Sequence, residues 1–328
     1  MIRAAIAGLG RWGRHLVEAA AGHPQLKIVR AVEPDIKAAQ EFCTQHDLDL
    51  TADLDAVLAD DTIDAILLAT PHSLHPAQVI ACAQARKQVF CEKPLALTHA
   101  DAARMFSACR EAGVLLAVGH NRRFWPSIRA LRETLASGQL GTILHVEGHN
   151  SNENSQKITS GWRLSAAESP GGGLTGAGLH VLDAFVSMLG PVERVYARLR
   201  VREIGPPPID TAVVALEFAN GVTGTLATVR ATPFYWRVHL FGTDGSAEVL
   251  DETTMILRKS GAAPQRLTYP ATDVLRAELD AFADGIANKA PYPVREAEVL
   301  ATLSAFEAAL QSMQSGLPVQ CLDGQHGA

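Results

Sequence analysis

Over the first 120 residues, short apolar runs alternate with longer stretches of helix-forming composition. The runs at 2–7, 27–32, 65–69, 88–91 and 114–118 predict strands buried on both faces, and the stretches 14–21, 36–46, 76–85 and 100–112 predict helices between them. Thr98, with Asp101 three residues later, marks a capped start for the last of these helices. Strand–helix–strand alternation requires a parallel sheet with helices on both faces, so residues 1–120 are predicted to form a doubly wound α/β domain. The texture then changes. A helical pattern over 127–136 stops at Gly138 and Gly141, and strand-like segments follow at 143–148, 192–201, 211–218, 223–229, 236–241, 247–250 and 254–258. Ala219-Asn220-Gly221 and Thr243-Asp244-Gly245 are turn signals between them. Helical stretches at 179–189, 273–288 and 296–315 complete a second, α+β domain over 121–328, with a mainly antiparallel sheet and helices on one face. Gly205-Pro206-Pro207-Pro208 reads as a stiff surface loop.

Composition narrows the function classes. The 328 residues are 47% apolar and 20% charged, ample for a buried core and unlike a disordered or coiled-coil chain. Lys and Arg number 29 against 35 Asp and Glu, a net charge of −6, which argues against a nucleic-acid binder that works by neutralising phosphates. No apolar run approaches the length of a membrane span, so no membrane partner is expected. The five cysteines have no paired spacing, which points away from disulfides and zinc and towards the cytoplasm.

The candidate chemistry begins at Gly8-Leu9-Gly10-Arg11-Trp12-Gly13, directly after the first strand and opening the first helix. Glycines there permit a tight turn, a close backbone approach to a pyrophosphate and close helix–strand packing, while the helix N-terminus favours negative charge. Glu33, 20 residues past Gly13 at the end of the second strand, stands where a carboxylate accepts hydrogen bonds from a ribose. Such a carboxylate repels a 2′-phosphate, so the expected cofactor is NAD in preference to NADP. Asp35 is an alternative bearer of that role, and Arg11 and Arg14 are possible phosphate contacts. The domain is therefore read as Rossmann-type.

Two further segments fall at the carboxyl edge of the same sheet, where open α/β folds bind ligands: Thr70-Pro71-His72-Ser73-Leu74-His75 and Cys91-Glu92-Lys93-Pro94. With these, with Asn121-Arg122-Arg123-Phe124, with Gly171-Gly172-Gly173 followed by His180 and Asp183, and with Gly316-Leu317-Pro318-Val319, the chain resembles the Gfo/Idh/MocA family of glucose–fructose oxidoreductase and inositol dehydrogenase over essentially its whole length. The resemblance implies a large open sheet in the second domain, serving substrate binding on one face and a homodimer or homotetramer interface on the other. It implies that Lys93 lies near the nicotinamide ribose and the reacting hydroxyl, and that His180 is the acid/base. The cofactor set is then Gly8, Gly10, Arg11, Trp12, Gly13, Glu33, Thr70, Pro71, His72, His75, Glu92 and Lys93. The substrate set is Lys93, Asn121, Arg123, Arg163 and His180, with Arg123 and Arg163 the residues suited to a carboxylate.

The chain departs from the family pattern at one position. Relatives often carry an aspartate four residues before the histidine, where this chain has Gly176. Asp183, three residues after His180, is either a partner of that histidine or a structural aspartate. His72-x-x-His75 lacks the further ligands of a metal site, and none is expected. His145 and His149 read as a solvated sheet face, and Tyr235 and Trp236 as sheet or interface residues. The polar stretch 152–157 with Trp162 and Arg163 is either a pocket wall or a surface loop. The expected activity is hydride transfer between the nicotinamide and a secondary alcohol or ketone of a sugar, polyol or cyclic diol. The alternatives are an NAD-dependent glycosidase with transient redox and an inactive cofactor-sensing binding protein.

Overall fold

The computed structural model describes residues 1–153, 161–162, 165–202, 209–230 and 232–322. The predicted loop at 205–208 lies outside them. The chain forms two compact units, one of residues 1–121 with 273–295 and the other of 122–272 with 296–328.

In the first unit the chain runs β1 (Ile2–Ala7), α1 (Arg11–Ala20), β2 (Leu26–Val32), α2 (Ile36–Gln45), β3 (Asp49–Thr51), α3 (Leu54–Leu58), β4 (Ala65–Leu68), α4 (His75–Gln84), β5 (Gln88–Glu92), α5 (His99–Ala112) and β6 (Leu116–Gly119). The six strands are all parallel, in the order β3-β2-β1-β4-β5-β6. Every residue of β4 is fully buried, as a strand covered on both faces requires. Thr98 caps α5 as predicted, its hydroxyl accepting the Asp101 N–H at 3.1 Å.

The second unit holds α6 (Pro126–Ala136), β7 (Ile143–Asn152), α7 (Leu179–Leu189), β8 (Val192–Arg202), β9 (Ile209–Phe218), β10 (Thr223–Arg230), β11 (Tyr235–Gly242), β12 (Gly245–Val249), β13 (Thr254–Lys259) and β14 (Gln265–Thr268). After α8 (Val274–Ile286), α9 (Glu296–Ser315) and β15 (Val319–Gln320) finish the described chain. Nine strands pair in the order β14-β13-β12-β11-β7-β10-β9-β8-β15, antiparallel except for β7 with β10. Along β9, Asp210, Ala212, Val214, Leu216 and Phe218 are buried, while Val213, Ala215 and Glu217 between them are exposed. That period-two pattern belongs to a sheet packed on one face. Trp236 lies on the packed side, 1% exposed, and is a core residue.

One segment is placed differently from the sequence expectation. Residues 273–295, read there as part of the second domain, pack with the first unit. Arg276 donates to the carbonyls of Ala19 and Ala21 at 3.1 and 3.0 Å, closing the carboxyl end of α1. Phe282 meets Phe90 edge-on at 5.7 Å, and the Tyr292 hydroxyl donates to the Val118 carbonyl at 3.1 Å. These partners lie 174–257 residues away, beyond the reach of any local pattern.

On the second face of the nine-stranded sheet, His239 is 7% exposed, with Glu147 and Glu248 as its cross-strand neighbours. Burial lowers its pKa from 6.5 to about 4, against the opposing pull of Glu248 and with the help of Arg258 and Arg237. The unfolded chain therefore binds more protons than the folded one between pH 6.5 and about 4, and stability falls as pH drops through that window. Burial lowers His23 and His149 as well, which adds to the slope. Urea melts at pH 7 and pH 4.5 check this, because His239→Phe is expected to lose less stability over the interval than the wild type.

Candidate active site

Each strand of the first unit delivers a segment to the same edge of the sheet. Gly8 has φ +90°, and a Cβ there would lie 2.7 Å from the Ala69 carbonyl oxygen, so only glycine lets the loop close against β4. A Cβ on Gly13 would stand 1.9 Å from the Gly8 oxygen, so α1 rests on the loop itself. Gly10 differs: it precedes the first turn of α1, and no atom lies within 4 Å of its Cβ position. The loop thus presents bare backbone and a helix N-terminus to open space, the cradle a pyrophosphate needs.

Glu33 lies across this loop. Its Oε2 accepts the Leu9 N–H at 2.8 Å and its Oε1 the Asp35 N–H at 3.3 Å, leaving lone pairs for further donors. Asp35, the alternative acid, is engaged elsewhere: its side chain caps α2 by accepting the Ala38 N–H at 3.0 Å. Arg14 donates to the Leu9 and Ala38 carbonyls and stacks on Phe42, whereas Arg11 is exposed beside Trp12.

At the ends of β4 and β5, His75 is fully buried, one ring nitrogen 3.0 Å from the Pro94 carbonyl oxygen and the other 3.1 Å from that of Thr70. It braces the two loops, joining the end of β4 to the end of β5. Pro71 and His72 open a short 3-10 turn, and the Thr70 hydroxyl donates to Gln78 at 2.6 Å. The Glu92 carboxylate is 8% exposed, sits against Gly119 and accepts the Lys93 N–H at 3.3 Å. The Lys93–Pro94 peptide bond is cis. Asn121, 6% exposed, follows β6 at the same edge.

In the second unit His180 is 6% exposed on α7, immediately after a π-helical turn over Leu174–Gly178. Such turns concentrate at functional sites. Gly176 within it is exposed, with no atom within 4 Å of a Cβ, so there is room for a side chain at this position. Gly176→Ala is expected to stabilise the protein by about 0.4–1 kcal/mol by restricting the unfolded chain, as denaturant titration would show.

Arg123, expected to suit a ligand carboxylate, is paired with two carboxylates of this chain. Its guanidinium, 2% exposed, donates twice to Asp183, at 2.8 and 2.6 Å, and once to Glu298. Burial opposes its charge, but the two carboxylates outweigh that and push its pKa above the ordinary value. Asp183 is therefore the second pole of an ion pair linking α7 to the start of the unit. Arg163 lies outside the described residues, as do 154–157 of the polar stretch. Among the described residues no group of three or more His, Cys, Asp or Glu could hold a metal, no helix could cross a membrane, and all five cysteines are buried thiols.

A six-stranded parallel sheet in this order, with a bare glycine loop and an acid at its edge, defines a dinucleotide-binding domain. The oxidoreductase family with an NAD-binding Rossmann fold matches residues 2–120, and the GFO/IDH/MocA C-terminal domain matches 128–248. The chain belongs to the Gfo/Idh/MocA oxidoreductase family. It is 30% identical over 280 residues to 2,7-anhydro-N-acetylneuraminate hydratase of Escherichia coli (82% of this chain, 73% of the hydratase). It is 35% identical over 210 residues to myo-inositol 2-dehydrogenase of Thermotoga maritima, 61% of each chain. The solved structure of levoglucosan dehydrogenase in complex with NADH and levoglucosan superimposes with a TM-score of 0.88 at 21% identity, covering 98% and 99% of the two chains.

Proposed function

We propose that this protein is an NAD-dependent dehydrogenase that acts on a secondary alcohol of a sugar, polyol or cyclic diol, or on the matching ketone. The observation that carries this is the bare Gly8–Gly13 loop with the Glu33 carboxylate across it. When bound, the nicotinamide supplies or accepts the hydride. The loop and the N-terminus of α1 hold the pyrophosphate, and Glu33 accepts hydrogen bonds from the adenosine ribose while repelling a 2′-phosphate. Thr70, Pro71 and Glu92 line the path of the cofactor. Lys93 holds the substrate oxygen and stabilises it as an alkoxide; His180 takes the hydroxyl proton on a ring nitrogen during oxidation and returns it during reduction. Asn121 completes the substrate contacts.

Calorimetric titration of nucleotide-free protein tests this reading. Tighter binding of NADH than of NADPH is expected; the reverse order would overturn the role of Glu33, and binding of neither would remove the activity altogether. Gly13→Ala, whose methyl meets the Gly8 oxygen, is expected to weaken NADH binding by more than about tenfold, about 1.4 kcal/mol.

The likeness to a hydratase favours a second reading, since hydration involves no net oxidation. Turnover of an anhydro sugar with catalytic NAD and no accumulating absorbance at the NADH band would select it. The protein is assigned to the cytoplasm, in keeping with its buried thiols. It is also assigned a homo-oligomer built on the second face of the large sheet, where Tyr196, Val213 and Tyr235 are 39%, 57% and 47% exposed. Sedimentation of Val213→Asp is expected to show a smaller particle than the wild type.

A further inference from the structure

The helix that bears His180 begins without a cap of its own. The residues that precede the π turn and α7, Gly173 and Gly178, have no side chain with which to cap them; the Thr175 hydroxyl within the turn accepts the Gly171 N–H at 2.9 Å, and the segment leading in is three glycines, Gly171-Gly172-Gly173. Bare helix starts of this kind normally need an oxygen acceptor. Here the acceptor comes from the sheet: Asp210 of β9, 2% exposed, takes the Gly173 N–H on Oδ1 at 2.8 Å, and Arg230 of β10 holds its Oδ2 at 3.2 Å.

The glycines fit this carboxylate. Gly172 has φ +56°, and its Cβ would lie 2.6 Å from Asp210 Oδ2; that of Gly173 would lie 3.0 Å from Oδ1 and 2.9 Å from the Thr228 hydroxyl. Any side chain at either position would lift the turn off Asp210. Further along, Asn150 of β7 donates to the Ala177 carbonyl at 2.8 Å, meeting an acceptor within the irregular turn. Asn150 and Thr228 are direct cross-strand neighbours, and Thr228 stands opposite Ala212, two residues from Asp210. Gly178 and Gly148 complete the fit. A Cβ on the first would meet Thr228 and Leu174 at 2.8 Å, and one on the second would meet Val181 at 2.2 Å and Phe185 at 2.5 Å. Polar groups on three adjacent strands and four glycines therefore set the height and rotation of the turn that leads into His180.

We infer that Asp210 is a positioning residue for His180: from the sheet it caps the glycine entry of the helix and, with Asn150, fixes where the imidazole points. Its catalytic meaning rests on the proton-transfer role proposed above for His180, but the geometry stands without that role. A buried carboxylate costs free energy that burial of an apolar residue would not. Burial pushes the Asp210 carboxyl up, against Arg230 and the Gly173 N–H, and the cap it supplies is the compensating gain.

The test is the His180 ring resonance in the full-length protein loaded with NADH, assigned by its disappearance in His180→Ala. Asp210→Ala is expected to move this resonance and shift its titration midpoint by about half a unit or more. Asp210→Asn, which keeps an acceptor for Gly173, is expected to move it less. Gly173→Ala approaches the same contact from the other side and is expected to reproduce the Asp210→Ala change, which keeps the test open if one variant does not fold. An unmoved resonance in folded Asp210→Ala, or equal effects of Ala and Asn at 210, would overturn the inference. If His180→Ala retains full activity, the acid/base role fails, yet the resonance still decides whether Asp210 positions the ring.

Discussion

Arg123→Met is expected to lower the unfolding free energy by about 3–5 kcal/mol, the cost typical of removing one member of a buried charge cluster. The guanidinium is 2% exposed, and the Asp183 and Glu298 side chains are 1% and 8% exposed. The variant takes away the cation these carboxylates share and leaves two negative charges on facing helices with little water to screen them. Equilibrium urea denaturation at neutral pH measures the loss. A second variant identifies its cause, since adding Asp183→Asn and Glu298→Gln to Arg123→Met removes both negative charges and is expected to recover part of the stability. A loss below about 1 kcal/mol for Arg123→Met would mean that the cluster is solvated and Arg123 is available to a ligand after all.

His180→Ala is expected to lower kcat by about 10²–10⁴-fold, the usual contribution of a positioned acid/base, while NADH affinity stays within about twofold. The two parts of this expectation have different origins. Cofactor binding is assigned to the glycine loop and Glu33 in the first unit, whereas His180 belongs to α7 of the second. On these assignments, removing the ring withdraws the proposed proton transfer and leaves every residue of the loop in place. Lys93→Met is expected to fall in the same range, because it deprives the alkoxide of its counter-charge. Stopped-flow hydride transfer with a substrate found by panel screening reads both variants. Full turnover by either would remove that residue from the mechanism, and activity in the wild type that is lost in His180→Ala would dismiss an inactive binding protein.

The nearer a feature's causes lie along the chain, the better the sequence announced it. The Gly8–Gly13 loop, Glu33, the Thr98 cap and the alternation along β9 each depend on residues within one or two elements, and all can be read from spacing. The short pieces β3, α3, β14 and β15 carry too few residues for a period to register. The ion-pair partners of Arg123 are hidden for a different reason. Its two carboxylates lie 60 and 175 residues away, so no local pattern points to them. Asp210 went unnoticed because it occupies an inward position of a strand, where its 37-residue separation from Gly173 leaves no local trace. The same holds for the segment 273–295, whose helical pattern was evident but whose packing partners were not.

That returning segment has a consequence for how the molecule is made. A ribosome releases the chain from the amino end, and domains ordinarily fold in that order. Here the dinucleotide unit lacks its last helix, the Arg276 cap on α1 and the Phe282 and Tyr292 contacts until residue 295 has emerged. By then the part of the second unit before residue 273 has already emerged, and that unit is itself waiting for α9. The two units are therefore completed close together in time, since the segment 273–295 and α9 are consecutive in the chain and follow one another within a few seconds at about 5–20 residues per second. Chains truncated before residue 273 hold the glycine loop and Glu33 but lack the Arg276 cap on α1, the Phe282 and Tyr292 packing and α9, and are expected to be cut by proteases faster than the full chain.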